Sequence, residues 1–342
     1  MRIFLFLLAS LTSTLAAARD LSPELTPART IPLPAVSGRI DHLAYDAKSQ
    51  RLFIAALGND SLEVVDLSTG THLRTLPGLK EPQGVALVAT LRRILVACGG
   101  DGTLHSFDCD TLKETGKLAL GDDADNARAT ADGAAVLVGF GSGALAIVDP
   151  AALKQTEHIV LPGHPESFQL DPNSSRVFVN VPGGALGGGG AVVVADRTTG
   201  KTLHTWKLTE AGRNFPMAID GTHDRVFVGC RRPARLLALD SKTGTTIASP
   251  ECVGDADDIF VDATSGHIFV IGGEGAIDVF ATTDFKDYKR IATIKTVSGA
   301  RTGLLVPERR ALYVAVPAAG SRTAEIREFT LPAAAPTPSP PR

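Results

Sequence analysis

The stretch RLFIAALGNDSLEVVDLSTG, residues 51 to 70, decides the fold. It reads as an apolar strand from Arg51 to Ala55, a turn carrying Gly58, Asn59 and Asp60, a second strand closing on Asp66, and a further turn at Thr69 and Gly70. The same unit recurs. Strands of the first type stand at Arg51 to Ala55 (RLFIA), Arg93 to Ala97 (RILVA), Ala135 to Gly139 (AVLVG), Arg176 to Asn180 (RVFVN), Arg225 to Gly229 (RVFVG), His267 to Ile271 (HIFVI) and Ala311 to Ala315 (ALYVA). Their third residues, Phe53, Leu95, Leu137, Phe178, Phe227, Phe269 and Tyr313, follow one another at spacings of 42, 42, 41, 49, 42 and 44. Second strands close on Asp66, Asp108, Asp149, Asp196 and Asp240, and Thr-Gly turns recur at residues 69–70, 199–200 and 243–244.

With a strand before the first and another after the Thr-Gly turn, each unit holds four short strands in about 42 residues, the pattern of a propeller blade. One such sheet cannot bury both faces, and stacking neighbours around an axis supplies the core. The expected fold is therefore all-β, a seven-bladed β-propeller of four-stranded blades. The seventh blade, ending near Thr330, lacks its outermost strand. Ala28 to Pro34 aligns at an offset of 42 with the outer strand at Gly70 to Leu76, so the N-terminal strand is expected to close the ring.

The repeat RLFIAALGNDSLEVVDLSTG and its relatives RVFV…VVVADRTTG and RVFVG…LLALDSKTG resemble the YVTN-type propeller repeat, and residues 28 to 331 are similar to the YncE-like family of secreted seven-bladed propellers. The resemblance implies the architecture and brings no catalytic motif with it. Several blades depart from it by lacking Thr-Gly, and the fourth carries an eight-residue excess with Gly187 to Gly190.

Of the 342 residues 21% are charged and 44% hydrophobic, which excludes a disordered chain and a polytopic membrane protein. A formal charge of −3 argues against nucleic acid as partner. Residues 1–18 read as a signal peptide: Arg2, an apolar run from Ile3 to Leu15, then Ala16-Ala17-Ala18 before the cleavage point. The uncharged run is short of the roughly 20 residues a spanning helix needs. A periplasmic or secreted monomer without a membrane anchor is expected. Residues 332–342 (PAAAPTPSPPR) read as a disordered Pro-rich tail. Cys98, Cys109, Cys230 and Cys252 match no metal or haem spacing, and their pairing stays open between disulfides and buried free thiols.

The strand before each anchor strand should open on the central channel. Twelve positions before the anchor column lie Asp41, Gln83, Asp125, Glu166, Phe215, Asp257 and Arg301. Two positions earlier come Arg39, Glu81, Asp123, His164, Arg213, Asp255 and Gly299, which a spacing of two places on the same side. One position later come His42, Gly84, Asn126, Ser167, Pro216, Asp258 and Thr302. Asp123-Ala124-Asp125-Asn126 and Asp255-Ala256-Asp257-Asp258 nearly repeat, three blades apart, and should face each other across the channel. The turns after the anchor strands reach the same rim, bringing Arg231, Arg232 and Arg235 near Arg213.

The ligand-binding candidates are thus Arg39, Asp41, His42, Glu81, Gln83, Asp123, Asp125, Asn126, His164, Glu166, Arg213, Asp255, Asp257, Asp258 and Arg301. Hydrophilic lining of a wet mouth is one reading of them. Another is a concave site for a small polar molecule, a peptide or a protein partner. A third is a metal, for which Asp125 and Asp257 are the candidate ligands and Ca²⁺ or Mg²⁺ the ions that oxygen donors suit. No nucleophile elbow, HExxH, Walker or dinucleotide motif occurs. No catalytic residue is assigned and no organic cofactor expected; the preferred function is non-catalytic binding. The alternative is a metal-dependent hydrolase or lactonase using the same carboxylates.

Overall fold

The computed structural model describes residues 25–183 and 189–332. The leader expected at 1–18, nearly all of the tail and the centre of the glycine-rich insert lie outside the described residues. Among the described residues, twenty-eight strands form seven antiparallel sheets of four, each in chain order from hub to rim except the last. There Thr26–Leu33 pairs with Ala324–Thr330, so the N-terminal strand completes blade seven as the repeat offset requires.

The strand period explains how one sheet serves two interfaces. In blade one Leu52 and Ile54 join a cluster with Tyr313 and Ile326 of blade seven, whereas Phe53 and Ala55, pointing the other way, pack with Ile94 and Val96 of blade two. Seven such clusters each straddle one seam. The anchor column always enters the seam ahead, from Phe53 against blade two to Tyr313 against blade one, and all seven members are buried. Continuous apolar runs such as VFV and VVV follow from this burial on both faces.

The aspartates that close the second strands have a local task. Asp66 Oδ1 accepts from the backbone N–H of Ser68 and Thr69, and Asp108, Asp149, Asp196 and Asp240 repeat the motif in their own turns. Gly70, Gly200 and Gly244 follow with φ of +73°, +70° and +74°, a conformation that disfavours a side chain.

On the face opposite the mouth, arginines stitch the seams. Arg51 donates to Cys109 O at 2.9 Å, Arg93 to Pro150 O at 2.7 Å, Arg176 to Ser241 O at 2.7 Å and Arg225 to Phe285 O at 2.8 Å. Arg310 grips Asp262 across the next seam, and Arg29 and Arg309 converge on Leu67 O at the last. The seam between blades three and four differs, because Ala135 stands where these strands begin with arginine; a cavity of about 400 Å³ lies there beside Leu137, Ile147 and Arg197. All four cysteines are buried and unpaired. None of the described helices is long and apolar enough to cross a membrane.

Candidate functional site

A bulge re-aims the inner strands at the hub. Asp41 N donates to Ala55 O while Ala55 N donates to His42 O, so two inner residues oppose one outer residue. Asp125 and Asn126 oppose Gly139 in the same way, and Glu166 and Ser167 oppose Asn180. The ladders of blades two, five and six shift register at the equivalent points. The channel column is therefore the first residue of a bulge, which turns it and its successor inward together.

The column two positions earlier does not simply alternate with it. Glu81, Asp123, Arg213, Asp255 and Gly299 have positive φ, between 49° and 85°, and this kink cancels the rule that a spacing of two fixes the side. Glu81 and Arg213 leave the expected group, whereas Asp123 and Asp255, with the same kink, stay at the site. Glu81 is exposed and receives Asp60 as an acceptor for its backbone N–H; Arg213 lies over the Phe215 ring at 5.5 Å, outside the cavity.

Eight of the fifteen candidates line one cavity of about 200 Å³: Arg39, Gln83, Asp123, Asp125, His164, Glu166, Asp257 and Arg301. Phe215 and Arg231 complete the wall. Asp41, Asp255, His42, Asn126 and Asp258 support it from beneath and beside. Asn126 and His42, from blades three and one, meet across the channel at 3.1 Å, and His42 stands 3.7 Å from Asp258 of blade six. These three form a floor beneath the cavity. Asp258 is fixed in turn by the Gly303 N–H at 2.8 Å.

The cavity is electrically two-sided. On the side of blades five, six, seven and one, three guanidinium groups surround Asp257: Arg231 at 2.6 Å, Arg301 at 3.0 Å and Arg39 at 3.8 Å. Arg39 also holds Asp41 at 2.9 Å, and Asp255 bridges Arg301 and Arg231. Arg231 lies flat on Phe215, 3.8 Å from the ring centre, and donates to Ala256 O. Arg231 was legible only as one of three turn arginines, and Arg232 and Arg235 do not line the cavity.

On the side of blades three and four Asp123, Asp125 and Glu166 face, among the described residues, a single cation, His164, which stands 3.6 Å from Asp123 and 4.0 Å from Asp125. Asp125 has a side chain only 10% exposed, yet among the described residues it accepts no side-chain hydrogen bond; its nearest cation, His164 Nε2, is 4.0 Å away. Glu166 has no side-chain hydrogen-bond partner among the described residues either. Burial, reinforced by Asp125, pushes Glu166 up to about 7. His164 is pushed up to about 9 by the facing Asp125 carboxylate and by Gly141 O, against the opposing effect of burial. Below the floor lies Arg128, overlooked in the sequence because it sits in the short apolar strand Ala127–Ala129. Burial lowers its pKa, and Asp258 and Asp125 offset part of that effect.

This arrangement does not suit the expected metal pair. Asp257 is enclosed by guanidinium groups, and no cluster of three or more His, Cys, Asp or Glu able to hold a metal ion occurs among the described residues. A hard cation wants six or more oxygen donors, which Asp125 and Glu166 alone do not supply.

No protein-family model and no curated protein matches the chain. Solved structures do. Hydrazine synthase of Kuenenia stuttgartiensis is 14% identical with a TM-score of 0.73, over 82% of this chain and 94% of that one. A chain of the mitotic checkpoint complex is 13% identical with a TM-score of 0.75, over 97% of this chain and 99% of that one. At such identities the likeness is one of fold alone: a seven-bladed propeller.

Proposed function

We propose that this protein is an exported, non-catalytic propeller of the YncE-like kind, a monomer that binds a small polar ligand in the cup at the mouth of its channel. The single observation that carries the reading is Asp125, a nine-tenths buried carboxylate that lines the cavity without a protein hydrogen bond. Its carboxylate presents to the cavity hydrogen-bond acceptors that the described residues leave free, and a ligand donor can take them. The cup of about 200 Å³ with a closed floor suits a small molecule better than a folded partner. The leader-like residues 1–18 support export, and the repeat RVFVG…LLALDSKTG supports the family.

Saturation-transfer NMR with a library of polar metabolites tests the reading. Wild-type protein should give signals from a subset of the library, and Glu166→Arg, which fills the cup, should abolish them while keeping the native circular dichroism spectrum. An empty screen, or signals that persist in the variant, refutes a mouth site.

A further inference from the structure

Within that reading, on which this inference rests, the residual hydrogen-bonding capacity of the cup specifies the ligand. We infer that the mouth binds a compact zwitterion, a small amino acid, with its ammonium group on Asp125 and Glu166 and its carboxylate on Arg301 and Arg39.

The argument starts from which polar atoms the protein leaves unused. Arg301 donates Nη1 to Asp255 at 2.9 Å; its Nε stands 3.0 Å from Asp257 Oδ2 without the geometry of a hydrogen bond, and its Nη2 has no partner among the described residues. Arg39 commits only Nη2, to Asp41 and Asp257, which leaves Nε and Nη1. Arg231, by contrast, is held on three sides: Nε donates to Ala256 O and Nη2 to Asp257, and Nη1 stands 3.3 Å from the Asp255 carboxylate. The unused donors thus belong to blades seven and one, and they are of the kind that hold a carboxylate in fork geometry.

Asp257 Oδ2, buried among these arginines, lacks a hydrogen-bond partner but is surrounded by cations; the unused acceptors open to a ligand cation lie on the other side. Asp125 and Glu166 from blades three and four present carboxylate oxygens without hydrogen-bond partners among the described residues, and these ask for a donor with several N–H groups. An alkylammonium supplies three, and it needs far fewer oxygens around it than Ca²⁺ does. Arg231 already stacks on the Phe215 ring at 3.8 Å, so a quaternary ammonium seated there would meet a resident guanidinium. A ligand of one sign would meet repulsion at one wall: an anion at Asp125, a bare cation at Arg301. A molecule carrying both charges meets its complement at each.

The probes are the free α-amino acids together with β-alanine and γ-aminobutyrate, titrated calorimetrically into the full mature chain at pH 8. Methylammonium, acetate and CaCl₂ serve as the separated halves and the metal. The expected result is at least one amino acid binding at least tenfold tighter than methylammonium or acetate. Asp125→Asn and Arg301→Met should each weaken it tenfold or more, and Arg213→Ala, outside the cup, should leave it unchanged. Three results overturn the inference: no amino acid binding below 10 mM, acetate or methylammonium binding as well as any amino acid, or Ca²⁺ binding that Asp125→Asn abolishes. The reading beneath it fails separately. A neutral or singly charged metabolite that binds wild type and is lost in Glu166→Arg refutes the zwitterion and keeps the mouth, whereas no mouth binding by any probe refutes both.

Discussion

Replacing Arg231 by alanine removes the residue that joins three parts of the hub, and the structure sets the size of the effect. The guanidinium makes a 2.6 Å contact to Asp257, donates to Ala256 O at 2.9 Å and covers Phe215 at 3.8 Å. Each hydrogen bond to a charged group contributes about 1.5–3 kcal/mol. The stacked cation adds about 1–2 kcal/mol in a partly desolvated place. Side-chain freedom regained by its loss offsets about 2 kcal/mol. Orphaning a buried charge costs about 3–5 kcal/mol, but here Arg301 and Arg39 remain beside Asp257. The net expectation is about 2–6 kcal/mol.

The effect also has a predicted pH dependence. Burial already raises Asp257 above its ordinary value in spite of Arg231, Arg301 and Arg39, and losing Arg231 raises it further. A carboxylate whose folded pKa lies above its unfolded one loses stability as pH rises through the folded value, so Arg231→Ala should cost more at pH 8 than at pH 5. Urea denaturation followed by the fluorescence of Trp206, the chain's single tryptophan, measures both numbers. Exposed Arg232→Ala is the control and should change stability by less than about 0.5 kcal/mol. A cost below about 1 kcal/mol, or a larger cost at pH 5, would refute the reasoning.

Three further outcomes follow from single residues. Glu166, raised to about 7 by burial and Asp125, faces His164, Asp257 and Arg231 as well; Glu166→Gln should be more stable than wild type by about 1–3 kcal/mol at pH 8 and equal to it near pH 4.5, and thermal melts across pH would show otherwise if its charge were well solvated. In Gly84→Ala the added Cβ would stand 2.2 Å from Asp125 O and 2.6 Å from Ala127 N, so the inner strand of blade three must shift. A loss of about 2–3 kcal/mol in urea denaturation is expected, together with weaker mouth binding, and a silent substitution would contradict that packing. Ala135→Arg should supply the missing stitch between blades three and four and raise stability by about 1 kcal/mol, while Arg93→Ala should lose at least as much; a destabilised Ala135→Arg protein would sink the seam argument.

The fold was legible because its signal is periodic. The anchor column from Phe53 to Tyr313 marks one buried position per blade, and the offset between Ala28 to Pro34 and Gly70 to Leu76 located the closing strand. The hub was legible in part, since a bulge repeats at one position in the blades and so leaves a column of polar residues in the sequence. What escaped depends on backbone conformation and long side chains. The left-handed kink at Glu81 and Arg213 has no residue-type signature that separates them from Asp123 and Asp255, which share it and stay at the site. Arg231 enters from a different strand, Arg225–Arg232, and only its stack on Phe215 fixes where its guanidinium goes. Phe215 looked like the exception in a polar column; it is the platform for that arginine.

The most direct test of the central claim is a crystal structure of the protein soaked with the tightest-binding polar probe. The account predicts density for that molecule inside the cup, within hydrogen-bond distance of Asp125 and Glu166 and above the floor of His42, Asn126 and Asp258. Density confined to the seam between blades three and four or to the outer rim, with the cup holding only water, would contradict it.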